Sequence, residues 1–99
     1  HPADELGIGY QFKINSIFAL GGQNVLTRKM EGLFFKFDVK NQKWSKLKNM
    51  NFGRSGPGIF FKNDYIYVFG GFRHNNIERY NITENNDWQI INAKWPRDI

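Results

Sequence analysis

The stretch Asp64–Gly71, DYIYVFGG, is an apolar run that ends in two glycines, and Ser16–Gly22, SIFALGG, is built in the same way. Gly70 follows Gly21 by 49 residues, and a fixed period of this length indicates an internal repeat. We therefore interpret the chain as one unit that occurs twice. An alignment without gaps pairs residues 3–22 with residues 52–71, and its seven identities are Gly7/Gly56, Gly9/Gly58, Phe12/Phe61, Lys13/Lys62, Ile17/Ile66, Gly21/Gly70 and Gly22/Gly71.

Aromatic residues follow each glycine doublet in the same order. Phe37 and then Trp44 come after the first doublet, and Tyr80 and then Trp88 come after the second. The interval from the doublet to Phe37 in the first copy is six residues longer than the interval from the doublet to Tyr80 in the second. Such a difference is expected where loops of variable length join fixed strands.

Alternating apolar residues and polar turn residues predict eight strands and essentially no helix. In residues 33–39, for example, Leu33, Phe35 and Phe37 lie on one face of a strand. Lys36 and Asp38 lie on the other face, and this alternation is typical of a strand. The first copy is predicted to contain strands at Ile8–Lys13, Ser16–Leu20, Leu33–Val39 and Trp44–Leu47. The second copy is predicted to contain strands at Gly58–Phe61, Tyr65–Phe69, Ile77–Ile82 and Trp88–Ile91.

The landmarks resemble those of the kelch repeat. They are an apolar strand ending in Gly-Gly, an aromatic residue, a Trp about seven residues later, and then Asn49-Met50 and Arg54 before the next strand. The resemblance implies an all-β fold of two four-stranded antiparallel blades of a kelch-type β-propeller, used mainly for protein binding. Residues 1–48 would form the first repeat and residues 49–92 the second. Phe37 departs from the family pattern, which usually has Tyr at this position.

The repeated glycines and aromatic residues have expected structural roles. Glycine lacks a Cβ atom, so it adopts positive φ readily and lets a neighbouring group approach closely. We expect this of Gly21, Gly22, Gly70 and Gly71. The large rings are expected to fill the space between adjacent blades, as core residues rather than ligand-stacking residues. These are Phe37, Trp44, Tyr80 and Trp88.

Two blades do not make a closed ring, because propellers contain roughly four to eight. Arg54 follows Trp44 by ten residues, and Arg97 follows Trp88 by nine. Residues 93–99 therefore resemble the lead-in to a further repeat. We expect an incomplete ring whose remaining blades come either from a longer parent polypeptide or from other copies of the chain. Three copies would supply six blades by cyclic symmetry.

Composition excludes several kinds of site. The 99-residue chain has no Cys, so it forms no disulfide, thiolate metal site or cysteine nucleophile. His74 is the only histidine away from the terminus, which leaves no partner for a histidine metal cluster or a catalytic triad. No apolar run approaches the roughly 18 residues that span a bilayer. We expect a non-enzymatic intracellular protein, in the cytoplasm, without metal or cofactor.

Basic residues concentrate in the first copy. Residues 28–54 contain eight Lys or Arg and two acidic residues, whereas residues 72–99 contain four of each. In an up-and-down blade alternate loops emerge at the same end, so the sequence predicts a basic rim opposite a rim of mixed charge that contains Lys40, Lys43, Lys62, Asp64, Glu84 and Asp87. The basic rim would contain Arg28, Lys29, Lys48, Arg54, Arg73 and His74. An ordinary solvated surface is the alternative interpretation.

Three functions from different classes fit these features. The first is a protein-interaction module whose basic rim docks an acidic segment of another protein. The second is a structural subunit of a large multiprotein assembly, with the open blade flanks as interfaces. The third is non-specific nucleic-acid binding, which the basic composition alone supports.

Overall fold

The computed structural model describes residues 3–24, 26, 29, 32–71, 75–84 and 87–94, and the chain is all β over these residues. It forms two four-stranded antiparallel sheets, as the sequence predicts. Within the described ranges no helix could cross a membrane. The two sheets are adjacent blades that do not close into a ring.

The strands follow one another in space in the order in which they occur in the chain. The first sheet consists of β1 (Ala3–Gln11), β2 (Ser16–Asn24), β3 (Phe34–Asp38) and β4 (Lys43–Lys46). The second consists of β5 (Gly58–Lys62), β6 (Tyr65–Phe69), β7 (Asn76–Asn81) and β8 (Gln89–Lys94). Strand β2 continues through its glycine doublet, and β8 continues three residues beyond its predicted end at Ile91.

The core lies between the two sheets. Alternation along β2 and β6 directs Phe18 and Leu20 of the first sheet, and Ile66 and Val68 of the second, into the shared interior, where all four are buried. We call these the inner faces of the sheets. Phe34 completes the first inner face, and Ile59, Phe61, Tyr80 and Trp88 belong to the second.

The two sheets approach most closely at their first strands, β1 and β5. A Cβ atom on Gly7 would lie 2.9 Å from Cδ1 of Ile59, and one on Gly9 would lie 2.9 Å from Cε2 of Phe61. Both distances are shorter than side-chain packing permits. The glycines of β1 therefore make room for the apolar side chains of β5.

The gap-free alignment of the two copies is wrong for their first strands. Strand β1 turns into β2 through four residues, 12–15, whereas β5 turns into β6 through the two residues 63–64. Gly9 pairs with Phe18, but Gly58 pairs with Phe69 rather than with Tyr67, the counterpart of Phe18. The spatial counterparts of Gly7 and Gly9 are therefore Gly58 and Phe60. The 49-residue offset holds for β2 and β6 and becomes 51 residues for β1 and β5 because the hairpin loops differ in length.

Candidate interaction site

The six residues assigned from sequence to a basic rim do not form one exposed patch in the described part of the chain. Arg54 is fully buried, so its placement on an exposed rim is wrong. Lys29 and Lys48 are exposed. Arg28, Arg73 and His74 lie outside the described residues.

Arg54 lies between the two glycine doublets and bonds to both. Its carbonyl oxygen accepts a hydrogen bond from the amide of Gly22 at 2.6 Å. Its Nη1 donates to the carbonyl oxygens of Gly70 at 2.8 Å and Asn76 at 2.9 Å. Arg54 therefore fastens the end of β2 to the start of the loop that follows β6.

Both glycine doublets have the positive φ angles that the sequence predicts. The values are 73° and 96° for Gly21 and Gly22, and 70° and 100° for Gly70 and Gly71. A Cβ atom on Gly21 would collide with the carbonyl oxygen of Arg54. The first doublet thus provides both the backbone conformation and the close approach that only glycine tolerates.

Glu78 is the counter-ion of Arg54. The sequence analysis did not identify Glu78 as a structural residue. Arg54 Nη2 lies 2.9 Å from Glu78 Oε2, and both side chains are fully buried. Glu78 Oε1 accepts hydrogen bonds from the amide and Nδ2 of Asn51, at 2.8 and 2.9 Å. Its Oε2 also accepts from the amide of Phe52 at 3.3 Å. Glu78 alternates with Tyr80 in β7 and with Ile82 directly after it, and all three side chains are buried. This two-residue period is the signal in the sequence that places the carboxylate on the buried face.

Lys48 forms an exposed ion pair with Asp87 of the second repeat. Its carbonyl oxygen also accepts a hydrogen bond from Nε1 of Trp88 at 2.9 Å. The sequence analysis assigned Lys48 and Asp87 to opposite rims, and that assignment is wrong because the two side chains meet. The acidic partner reduces the charge that Lys48 can offer to another molecule.

Tyr80 and Trp88 are buried in the core between the sheets. The ring of Phe34 packs edge-on against both, with centroid separations of 5.1 Å to Tyr80 and 5.0 Å to Trp88. Burial raises the pKa of the Tyr80 phenol, and the Asp87 carboxylate acts in the same direction. These two rings fill the space between the blades.

Phe37 and Trp44, the counterparts of Tyr80 and Trp88 in the first repeat, are not core residues. The exposed fraction is 58% for Trp44 and 6% for Trp88, and Phe37 is half-buried. The prediction that both belong to the core is therefore wrong. The reason is that they project from the side of the first sheet that the second sheet does not cover, where they pack on each other with centroids 4.9 Å apart.

This uncovered side, which we call the first outer face, is almost wholly apolar. Its members alternate with the residues of β1 to β4 that face the second sheet, and several are exposed, with Ile8 reaching 66%. Contiguous exposed apolar surface of this kind is typical of interaction surfaces. The apolar residues of the first outer face are Leu6, Ile8, Tyr10, Ile17, Ala19, Phe35, Phe37 and Trp44.

Comparison with known proteins agrees with the repeat seen in the structure. Residues 53–92 match the family model described as the kelch motif. The chain contains a kelch repeat. A kelch repeat-containing protein of Dictyostelium discoideum is 29% identical over 94 residues, which cover 87% of this chain and 14% of that relative. A RING finger domain and kelch repeat-containing protein of the same organism is 33% identical over 81 residues, which cover 76% of this chain and 8% of that relative.

The kelch match contains strand β5, β6 and β7 in full and most of β8, and the first sheet has the same strand order and pairing. Kelch repeats generally mediate protein–protein interaction and are typically non-enzymatic modules. The chain spans only a small share of both kelch relatives. Among the residues described, no group of three or more His, Asp or Glu side chains could hold a metal ion.

Proposed function

We propose that this chain is a segment of a kelch-type protein-binding scaffold, and that the loops after its glycine doublets dock an acidic segment of another protein. The match of residues 53–92 to the kelch motif supports a role in protein binding. The basic loop residues support an acidic partner. Arg54 is buried and Lys48 is paired to Asp87, so neither is assigned to the docking surface. We assign docking to the basic residues and the histidine of the loops that follow the doublets, which are Arg28, Lys29, Arg73 and His74.

The observation that carries this proposal is the double attachment of Arg54. Because Arg54 bonds to Gly22 and to Gly70, the two doublets lie beside each other at one end of the sheets. Arg28 and Lys29 follow the first doublet, and Arg73 and His74 follow the second. Loops that start from adjacent points on a rigid scaffold are well suited to form one binding surface. A positive surface there would speed the encounter with an acidic segment.

A poly-glutamate peptide is a suitable probe, with binding measured by fluorescence anisotropy at low and at physiological salt. The test variant carries Arg28→Glu, Lys29→Glu and Arg73→Glu. The control variant carries Lys40→Glu, Lys43→Glu and Lys62→Glu, which change the net charge equally. These residues lie in or directly beside the turns at the other end of the sheets. We expect the test variant to lose binding and the control to retain most of it.

An equal loss in both variants would mean that net charge alone governs binding, and it would reject the docking loops. Retention of binding in the test variant would also reject them. A single-stranded oligonucleotide that binds more tightly than the peptide, with the same dependence on the three loop residues, would favour nucleic acid as the ligand instead.

A second function is favoured by a different observation. The exposed first outer face suits a structural subunit that is built into a larger assembly through its blade flank. In such an assembly Trp44 would become buried. Protection of Trp44 from a soluble quencher on incorporation would support this function, and an unchanged exposure would reject it.

A further inference from the structure

The edge of β8 is less protected against strand pairing than the edge of β4. Both are the last strands of their sheets, so each pairs on one side only among the strands that the structure describes. An edge strand directs unpaired N–H and C=O groups outwards, and short length and lysine side chains are common protection against a further strand. Strand β4 has four residues, KWSK, with a lysine at each end. Strand β8 has six residues, QIINAK, and the first five carry no charge.

Ile90 occupies the position in β8 that Lys46 occupies in β4. Lys46 pairs with Phe35, and Ile90 pairs with Glu78. Phe35 and Glu78 are equivalent, because each pairs with the fourth residue of the strand before it. A lysine that protects the edge in the first repeat is therefore an isoleucine in the second.

The exposure of Ile90 does not come from an uncovered side of its sheet. Ile90 and Glu78 are cross-strand neighbours, so their side chains lie on the same side of the second sheet, the side that packs on the first sheet. Glu78 is fully buried there, yet Ile90 is 58% exposed. The two sheets approach most closely at β1 and β5, and β8 lies at the far edge of its sheet. A neighbour packed on the other side of the second sheet would therefore not cover Ile90.

A bulge in β8 creates a recess at this edge. Ile77 pairs with Ile91, but the next residue of β7, Asn76, pairs with Lys94, so two residues of β8 are left out of the ladder. Bulges of this kind end regular pairing and redirect side chains. The recess has a volume of about 340 Å³, at the lower end of the roughly 300–1,000 Å³ of ligand pockets, which suits one large side chain. Its lining residues are Asn76, Ile90, Ile91, Asn92 and Ala93.

We propose that an extended segment of another protein pairs with β8 as an additional strand of the second sheet, and that one of its aliphatic or aromatic side chains fills the recess. The segment satisfies the outward N–H and C=O groups of Gln89–Ile91, the part of β8 before the bulge. Its centre is uncharged, to match the uncharged edge. The inference goes beyond the docking of an acidic segment and uses none of the loop residues assigned to that docking.

A second copy of β8 is a less suitable partner. Two copies that pair in antiparallel register about Ile90 would set Trp88 of one copy opposite the bulge of the other, and Trp88 is buried in its own core. Pairing about Ile91 would place both bulges inside the new ladder. An unrelated segment has neither restriction, so it can pair with the regular part of the edge and still reach the recess.

Short linear peptides selected from a random phage-displayed library are the probe, and fluorescence anisotropy measures the affinity of the synthesised peptides. Ile90→Lys gives β8 the lysine that β4 has at this position, and Ala93→Phe fills the recess. Trp44→Lys is the matched control, because Trp44 is also 58% exposed and lies in the other edge strand. All three side chains are exposed, so we expect the variants to fold, which circular dichroism checks.

We expect selected peptides that bind the wild type and Trp44→Lys equally, and that bind Ile90→Lys and Ala93→Phe at least about tenfold more weakly. Each peptide is also made in two versions, N-methylated at one or the other set of alternate residues. One version should retain its affinity and the other should lose at least about tenfold, because only alternate amides of a strand face the protein. Hydrogen exchange should slow at outward amides of Gln89–Ile91 and not at those of β4.

Four results would overturn the proposal. The first is a selection that yields no peptide whose binding depends on Ile90. The second is an equal loss of binding in Trp44→Lys, which would show that peptides bind exposed apolar side chains in general. The third is equal affinity of the two N-methylated versions, which would show that the peptide does not pair as a strand. The fourth is dimerisation of the wild type in sedimentation velocity that Ile90→Lys abolishes, which would assign the edge to a second copy.

Discussion

Arg54 and Glu78 form an ion pair with 2.9 Å between Nη2 and Oε2 and with both side chains fully buried. Arg54 comes from the connection between the sheets, and Glu78 lies in β7. The pair holds this connection against the second sheet, since Glu78 also binds the amides of Asn51 and Phe52. Because Arg54 also bonds to Gly22 at the end of β2, the ion pair helps to fix the position of the first sheet relative to the second.

Removal of one member of the pair should be strongly destabilising. Glu78→Leu leaves the Arg54 charge buried without its counter-ion, and we expect the free energy of unfolding to fall by about 3–5 kcal/mol. Arg54→Met should have a comparable effect. In the double variant the losses should be smaller than their sum by at least about 1 kcal/mol, because neither charge is then left alone. Urea unfolding of the four proteins measures this coupling.

The exposed pair Lys48 and Asp87 is the control for that experiment. Replacing Lys48 with Met should change the free energy of unfolding by at most about 1 kcal/mol, as is usual for surface ion pairs. A coupling near zero for Arg54 and Glu78, or an effect of Lys48→Met as large as that of Glu78→Leu, would contradict the role assigned to the buried pair.

Gly21→Ala should be more destabilising than Gly56→Ala. Both glycines have positive φ, at 73° and 67°, so each substitution costs roughly 1–2 kcal/mol from the backbone alone. Gly21→Ala adds a collision between the new Cβ atom and the carbonyl oxygen of Arg54, whereas Gly56 is exposed. Thermal unfolding of the two variants compares them. Equal losses of stability would show that the close approach of Arg54 to Gly21 is unimportant.

Trp88→Ala and Trp44→Ala should differ widely, although the two residues occupy the same position in the repeat. Trp88 is buried against Phe34, and its removal should cost about 3–5 kcal/mol. Trp44 is 58% exposed, so its removal creates no enclosed cavity and should cost far less. Urea unfolding of the two variants measures both losses. Similar losses in the two variants would argue that a further surface covers Trp44 within one chain.

Tyr80 should make the protein less stable at high pH. Burial raises the pKa of its phenol in the folded state above the value of about 10 expected for the unfolded chain. The unfolded state therefore releases this proton first, and the stability that is present below about pH 10 is lost as the pH rises towards the folded pKa. Urea unfolding between about pH 8 and 11 should show a steeper decline for wild type than for Tyr80→Phe. If the free energy of unfolding declined equally with pH in the wild type and in Tyr80→Phe, Tyr80 would not be the cause of the loss of stability.

The sequence was sufficient to predict the sheets because their signals are local. Alternation around Phe18 and Ile66, together with positive φ at the doublets, depends on residues near each other in the chain. The shift of β1 relative to β5 could not be predicted from a gap-free alignment. Coincident glycines, such as Gly9 and Gly58, gave identities at positions that are not equivalent in space.

The predictions that were wrong depended on distant residues. A charged residue in a loop is ordinarily exposed, so the sequence predicted an exposed Arg54. Arg54 is buried instead because its guanidinium forms an ion pair with Glu78, which lies 24 positions later in the chain. Lys48 meets Asp87 because the two sheets are adjacent, which no local pattern reports. Trp44 and Trp88 occupy the same position in the repeat, but the burial of each depends on whether a neighbouring sheet covers it.

The most direct test of the two-blade arrangement compares the solvent exposure of Trp44 and Trp88 in one sample. The protein labelled with 5-fluorotryptophan is studied by fluorine NMR at low concentration with a soluble gadolinium chelate, and Trp→Phe variants assign the signals. We expect strong relaxation enhancement for Trp44 and little for Trp88, since the first sheet covers only the latter. Equal enhancement of the two signals would contradict the packing of two equivalent sheets with one face left open.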